Sequence, residues 1–322
     1  MIAAALLASA SIFHGTPVTS EQAPWLVTLT TRAPFCGGAL IAPDRVLTAA
    51  HCVQGADPGR VSVRIHGVRH AWRGAYFPTS YREIASPVNP EDPSASGTVD
   101  DIAVIVLAKP VTGVPVLPVA GTPPVVGEVS QTIGTGRTGS FSDGPRSPHA
   151  ANQTVSDACP AAYGARLFFP AKHLCTLDGT PNASQACAGD SGSPVMVMRD
   201  GNWAVAGVVT WGGETYGRDC GEGLPDVSER IDAHTALLTA TGAFAPYAER
   251  RVRVRRSGEV RRCVIGAWHP TATFKVRWWR RSGTEVTPLS GHGRTRRGGP
   301  AGCSVTATTA GGWAREDSYN QL

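Results

Sequence analysis

Apolar residues along this chain fall mostly in short runs broken by Gly, Pro or Asp, and only one stretch spaces them as a helix does. Trp25–Thr30, Gly38–Ile41, Val46–Thr48, Val61–Ile65, Ile102–Leu107, Val195–Met198 and Ala204–Thr210 are rich in Val, Ile, Leu and Thr, so each reads as a strand. Many short strands joined by turns predict an antiparallel barrel or sandwich. Ser228–Thr241 is the exception: Ile231, His234, Leu237 and Leu238 sit at helical spacing and predict one helix closing a domain. Further on, Val276–Arg280 and Ser304–Thr308 return to strand-like alternation.

Composition supports this all-β reading and adds a boundary. Gly (37) and Pro (25) are abundant enough to supply many turns, and 42% hydrophobic residues suffice for a core of ordinary size. Charge is uneven: from Arg250 onward, 15 Lys+Arg against 4 Asp+Glu give +11, which leaves −6 for residues 1–249 of a chain whose total is +5. That step places a domain boundary near Arg250, with 249–260 read as a basic linker and 261–322 as a separate domain.

Eight cysteines, at 36, 52, 159, 175, 187, 220, 263 and 303, include no Cys-x-x-Cys pair, and no His-Glu-x-x-His occurs. Zinc spacing is absent, no acidic loop has calcium-site spacing, and neither a metal nor an organic cofactor is implied. An even count spread along the chain predicts four disulfides and an oxidising compartment. Residues 1–11 begin apolar and end in small residues, and they are too short to span a bilayer. They read as the remnant of a secretory signal, so the protein is expected to be secreted, without a transmembrane segment.

Candidate chemistry gathers in Gln185-Ala-Cys-Ala-Gly-Asp-Ser-Gly-Ser-Pro-Val195. Glycines at 189 and 192 remove the Cβ that blocks a tight turn, leaving the Ser191 hydroxyl and nearby backbone N–H groups free to face a substrate. A serine hydroxyl needs a base. His51, at the end of the apolar run Val46–Ala50 and beside Cys52, is the best placed. A carboxylate at the mouth of the buried strand in Val99-Asp-Asp-Ile-Ala-Val-Ile-Val-Leu107 would orient it. His66, His70, His149, His173, His234, His269 and His292 have no such company and read as packed or surface residues.

The ordered set Trp25-Leu-Val-Thr-Leu, Cys36-Gly-Gly-Ala-Leu-Ile, Leu47-Thr-Ala-Ala-His-Cys52, Asp101-Ile-Ala-Val, Gly134-Thr-Gly136, Gly189-Asp-Ser-Gly-Ser-Pro194, Thr210-Trp-Gly212 and Leu224-Pro-Asp-Val227 resembles the chymotrypsin-like (S1) serine proteases from about Ile12 to Thr241. The resemblance implies two six-stranded antiparallel Greek-key barrels with a C-terminal helix over 12–248. It also implies a catalytic triad of His51, Asp101 and Ser191, and an oxyanion hole from the N–H groups of Gly189 and Ser191. Disulfides are implied between Cys36 and Cys52, Cys159 and Cys175, and Cys187 and Cys220. Thr210, Trp211 and Gly212 would line the substrate cleft, and Gln185 would floor the primary pocket. Trypsin-like enzymes of strict Arg/Lys preference carry Asp at that floor, whereas here Asp226 places a carboxylate on the wall. Arg/Lys or mixed preference is favoured over a small or apolar side chain. In the family a free N-terminal Ile or Val amine pairs with the acid before the nucleophile, here Ile12 with Asp190. Cleavage after Ser11 by signal peptidase would release that amine without a separate zymogen step. Phe13 replaces a smaller residue there.

Cys263, Trp278 and Cys303, at spacings of 15 and 25, resemble a small immunoglobulin-like sandwich in which the Trp packs on an inter-sheet disulfide. The chain therefore reads as a secreted, monomeric serine endopeptidase acting on protein or peptide substrates. Its basic tail adds a polyanionic surface or polymer, rather than a specific nucleic acid, as a second partner. The alternatives are a catalytically silent protease-fold binding protein and an adhesin-like surface protein.

Overall fold

A computed structural model describes residues 12–137, 147–282 and 285–318. The signal remnant read in 1–11 lies outside them. The chain divides into two compact units: one takes residues up to Val53 together with Pro58–Thr239, and the other takes Gln54–Asp57 together with residues from Ala240 on.

In the first unit, the apolar runs become two antiparallel sheets. One has the strand order Val68–His70, Ser62–Ile65, Leu26–Thr30, Pro34–Ala42, Arg45–Thr48, Ala103–Leu107, Trp72–Tyr76. Ala103–Leu107 is buried along its whole length, because strands flank it on both edges and its unbroken Val/Ile run leaves no polar face. Val27, Leu29, Leu40, Val46 and Ile105 fill this core with no exposed surface.

The other sheet runs Thr16–Pro17, His149–Val155, Val129–Gly134, Pro194–Arg199, Asn202–Trp211, Asp226–Arg230, His173–Leu177. Its last strand pairs back onto His149–Val155 through Thr154↔Leu177 and Val155↔Thr176, closing a barrel. With one closed barrel and one half-barrel, the architecture is the chymotrypsin-like β fold expected.

Two local features differ from the sequence reading. Ser228–Arg230 continues the strand Asp226–Arg230, and the predicted closing helix is a 3-10 segment, Asp232–Thr239, broken by non-helical φ/ψ at His234. The strand wins there because Val227, Ser228 and Glu229 pair on both sides. An α-helix not read from the sequence, Cys159–Leu167, opens with Pro at its first turn and buries Cys159, Tyr163 and Leu167 at fourfold spacing.

The second unit is all β. Strands Glu285–Leu289, Thr273–Ser282, Gly302–Thr309 and Gly312–Asp317 form one sheet, and Arg253–Ser257, Val260–Val264 and Thr295–Arg297 form another. The arginines at 250–256 lie in and between the strands Tyr247–Arg250 and Arg253–Ser257. A disulfide ties Cys263 in the second sheet to Cys303 in the first, and Trp278 is buried in the same core as both. All four expected disulfides are formed: 36–52, 159–175, 187–220 and 263–303.

Candidate active site

His51 follows the strand Arg45–Thr48, and the neighbouring Cys52 is fastened to Cys36 on the adjacent strand. This pins the imidazole backbone to the first sheet. Asp101, fully buried, precedes the strand Ala103–Leu107 that pairs with Arg45–Thr48, so strand register brings the two residues together. His51 Nδ1 lies 2.7 Å from Asp101 Oδ2, and the His51 backbone N–H donates to Oδ1 at 2.9 Å. Two donors from one residue fix both carboxylate oxygens.

Burial is the largest influence on Asp101 and disfavours its charge, yet the His51 charge and hydrogen bonds, with the Thr98 hydroxyl, hold its carboxyl below the usual range. The converse applies to His51. Burial works against its charged form, but Asp101, assisted by Glu83 and Glu214, outweighs it and raises the imidazole pKa.

Ser191 lies in the turn Ala188–Ser193. Gly189 (φ +98°) and Gly192 (φ +82°) both occupy the left-handed region, and a Cβ on Gly192 would collide with the Thr48 hydroxyl and the Gly37 carbonyl. Only glycine lets this turn pass so close to the first sheet. The turn is bonded through Asp190 N to Cys187 O, Gly192 N to Val209 O and Ser193 N to Asp190 O, all at 2.8–2.9 Å. Among the described residues, the N–H groups of Gly189 and Ser191 donate to no acceptor within the chain. Two amides left unspent beside the bonded N–H groups of Asp190, Gly192 and Ser193 are what an incoming oxyanion requires.

Ser191, His51 and Gly189 share a pocket of about 500 Å³ with Gln185, Thr210, Trp211, Gly212, Glu214 and Asp226. At its base, Gln185 Nε2 donates to Asp226 Oδ1 (3.0 Å) and to Leu224 O (2.8 Å). Gln153 Nε2 and Ala186 N hold the other Asp226 oxygen at 2.8 and 3.1 Å. Even so, burial pushes Asp226 up to about 7. Thr210 bonds to Val227 O, and Trp211 Nε1 to Thr98 O.

At the N-terminal side, Ile12 is fully buried with φ +56°, and Phe13 exchanges two backbone hydrogen bonds with Gln185. The Phe13 ring packs on the backbone of Gly221, where a Cβ would collide with it, so its bulk is accommodated. Asp190 is fully buried, accepts from Gly136 N and Cys187 N, and is raised by burial to about 7.

Three residues near this site were not singled out in the sequence. Thr98 Oγ1 donates to Asp101 Oδ2 at 2.9 Å. Glu229, buried on the strand Asp226–Arg230, accepts from Asp101 N (3.2 Å) and lies 2.8 Å from His234 Nε2. Glu214 Oε1 accepts from Gly212 N at 2.9 Å. Although Glu214 is an exposed residue, desolvation of its carboxyl, folded back on Gly212 N, raises its pKa. The signal for the last was present: eight residues lie between Trp211 and Cys220, room for the 3-10 turn Gly213–Tyr216 at the cleft edge.

Asp100, Glu229 and His234 come close enough for their ligand atoms to surround an ion. They are already committed, however, Asp100 to Lys172 at 2.8 Å and Glu229 to His234. The other two such groupings contain disulfide sulfurs, which are not thiolate ligands.

The family model described as Trypsin matches residues 12–236. Trypsin Blo t 3 of Blomia tropicalis is 31% identical over 253 residues, 74% of this chain and 88% of that protein. The trypsin of Saccharopolyspora erythraea is 31% identical over 236 residues, 70% of this chain and 96% of its own. The solved structure of neuropsin, a serine protease of mouse brain, superimposes with a TM-score of 0.57 at 26% identity, covering 70% of this chain and 97% of that one. Both large sheets and the Ser191 turn fall within the matched span, and the chain belongs to the trypsin family of serine endopeptidases.

Proposed function

We propose that this endopeptidase acts through Ser191 as nucleophile, His51 as general base and then acid, and Asp101 as the group that orients the imidazole and stabilises its charged form. The observation that carries this reading is the paired contact of His51 N and Nδ1 with the two oxygens of a fully buried Asp101. With Nδ1–H fixed on the carboxylate, Nε2 is left as the acceptor for the serine proton. No hydrogen bond joins Ser191 Oγ to His51 among the described residues, and catalytic contacts of this kind commonly tighten only when substrate binds. Gly189 N and Ser191 N would receive the oxyanion, each donor worth about 3–4 kcal/mol of barrier. Stoichiometric uptake of a serine-directed phosphonate, together with cleavage of a denatured protein, tests the assignment. A pure protein that does neither would sink it and favour a silent binding protein.

His51 must be neutral to act. Because its pKa is raised, the acid limb of kcat/KM is expected above the ordinary imidazole value of about 6.5. Glu214→Gln removes one of the charges that raise it and should shift the limb to lower pH.

For the residue before the scissile bond we favour Arg or Lys. Asp226 and Glu214 both flank Gly212, since a Cβ there would lie 3.3 Å from an oxygen of each. Two carboxylates that desolvation makes reluctant to ionise gain most from a cation. Among peptide anilides ending in Arg, Phe and Ala, Arg should be hydrolysed about tenfold faster in kcat/KM than Ala. The preference should grow as pH rises through 7, where Asp226 ionises more readily. Ala fastest would overturn this assignment.

Activation follows from Ile12 and Asp190. The left-handed φ of Ile12 is strained for a β-branched residue, and it exists only while the peptide bond to residue 11 is intact. Cleavage after Ser11 would remove that constraint and create an amine able to neutralise Asp190, whose described partners are two neutral backbone amides. N-terminal sequencing of active, secreted protein should begin at Ile12; any other start refutes this step. A polyanionic surface or polymer is proposed as partner of the basic C-terminal unit, on the strength of its +11 charge.

A further inference from the structure

Resting on that last reading, we infer that one face of the C-terminal unit is built to hold an acidic polysaccharide. Strand alternation sorts the four-stranded sheet into two faces. One face carries Val276, Trp278, Cys303, Val305, Ala307 and Ala314, all buried in the core. The register Lys275↔Thr306↔Arg315, Arg277↔Ser304↔Asp317 and Trp279↔Gly302 puts the intervening side chains together on the opposite face. Lys275, Arg277, Arg281 and Arg315 on it are exposed, and Asp317 is its one carboxylate among the described residues. The outer face is therefore strongly cationic.

Trp279 gives this face a shape. A Cβ on its cross-strand partner Gly302 would fall inside the indole, so the ring lies across the sheet backbone at that point. Arg277 and Arg281 flank it on the same strand, each about 7 Å away along the chain. Around it lies a pocket of about 400 Å³ whose walls include Arg281, Val286, Arg315, Asp317 and Ser318. Among the described residues the Trp279 Nε1–H, itself buried, has no acceptor.

Each part matches one feature of an acidic sugar chain. The indole offers an apolar plate for the C–H face of a pyranose ring. Arginines two residues to either side reach carboxylate or sulfate groups on that ring or its neighbours. Arg315 donates to Ser304 Oγ (3.0 Å) and Asp317 Oδ1 (3.1 Å), so the wall presents alternating donors and acceptors suited to vicinal hydroxyls. DNA, whose deoxyribose has no vicinal hydroxyls, cannot use these alternating donors and acceptors, which favours the sugar chain over nucleic acid.

The test uses the full chain inactivated with a serine-directed phosphonate, so that bound material is not degraded. Its binding to polygalacturonate, neutral dextran and single-stranded DNA is measured at low and at physiological salt. Polygalacturonate should bind most tightly and in a salt-sensitive manner. Trp279→Ala should weaken it about tenfold, Trp279→Phe much less, and Arg281→Gln about threefold, while hydrolysis of soluble peptide by the untreated variants is unchanged. Arg255→Gln, outside this face, should leave binding intact and controls for overall charge. Equal binding to dextran, or Trp279→Ala and Arg281→Gln both binding as the parent does, overturns the assignment of this face. Tighter binding to DNA overturns the polysaccharide while sparing the polyanion reading; binding to neither anionic polymer overturns both.

Discussion

Replacing Ser191 with alanine is expected to lower kcat on a peptide substrate by about a millionfold and to abolish phosphonate labelling. The substitution removes one oxygen and little else: the Ser191 carbonyl still accepts from Gly37 N at 2.8 Å, and Gly192 still anchors the turn to Val209 O. Stability should therefore change by less than about 1 kcal/mol, and a thermal melt beside the kinetic assay separates lost chemistry from lost fold. What remains should exceed the uncatalysed rate by about a thousandfold or more, because the unspent amides of Gly189 and Ser191 can still polarise a carbonyl toward attack by water. KM should move little, since the pocket around Gln185, Trp211 and Asp226 is untouched. Substantial turnover by the alanine variant would mean that the nucleophile lies elsewhere.

Features carried by short, ordered motifs were legible in the sequence. Val46–Thr48 and Ile102–Leu107 appear as adjacent strands, and their register delivers His51 to Asp101. Cysteine parity anticipated four bridges, and the spacing of Cys263, Trp278 and Cys303 anticipated a shared core. What escaped depends on contacts that only folding creates. Glu229 sits in no motif, yet strand pairing turns it inward, where it accepts from Asp101 N, 128 positions away in sequence. His234, which reads from sequence as a packed or surface residue, is the partner of that carboxylate. The apolar spacing from Ile231 to Leu238 reported a buried side correctly but not the helix type, which a non-helical His234 breaks. Glu214 belongs to the 3-10 turn Gly213–Tyr216, and its role depends on its carboxyl folding back to Gly212 N.

The second large effect concerns Asp101. Asp101→Asn should lower kcat by about ten-thousandfold with the fold intact, through the tautomer of His51. The aspartate receives His51 N on Oδ1 and both His51 Nδ1 and Thr98 Oγ1 on Oδ2. An asparagine has one oxygen and one NH2 to place in these positions. If the NH2 faced the His51 backbone N–H, two donors would oppose each other in a site with no water-exposed side. The oxygen therefore takes that position, and the NH2 points at Nδ1 and Thr98, whose hydroxyl can turn to accept it. Nδ1 must then be the acceptor and Nε2 must carry the proton, which leaves nothing to receive the hydrogen of Ser191. The loss should fall on kcat far more than on KM, and phosphonate labelling should slow in parallel, because it needs the same base. Thr98→Ala makes the contrast: it removes one donor from a carboxylate that keeps two others, leaves the tautomer correct, and should cost only about tenfold. Equal losses in the two variants would mean that Asp101 acts through packing rather than by orienting the imidazole.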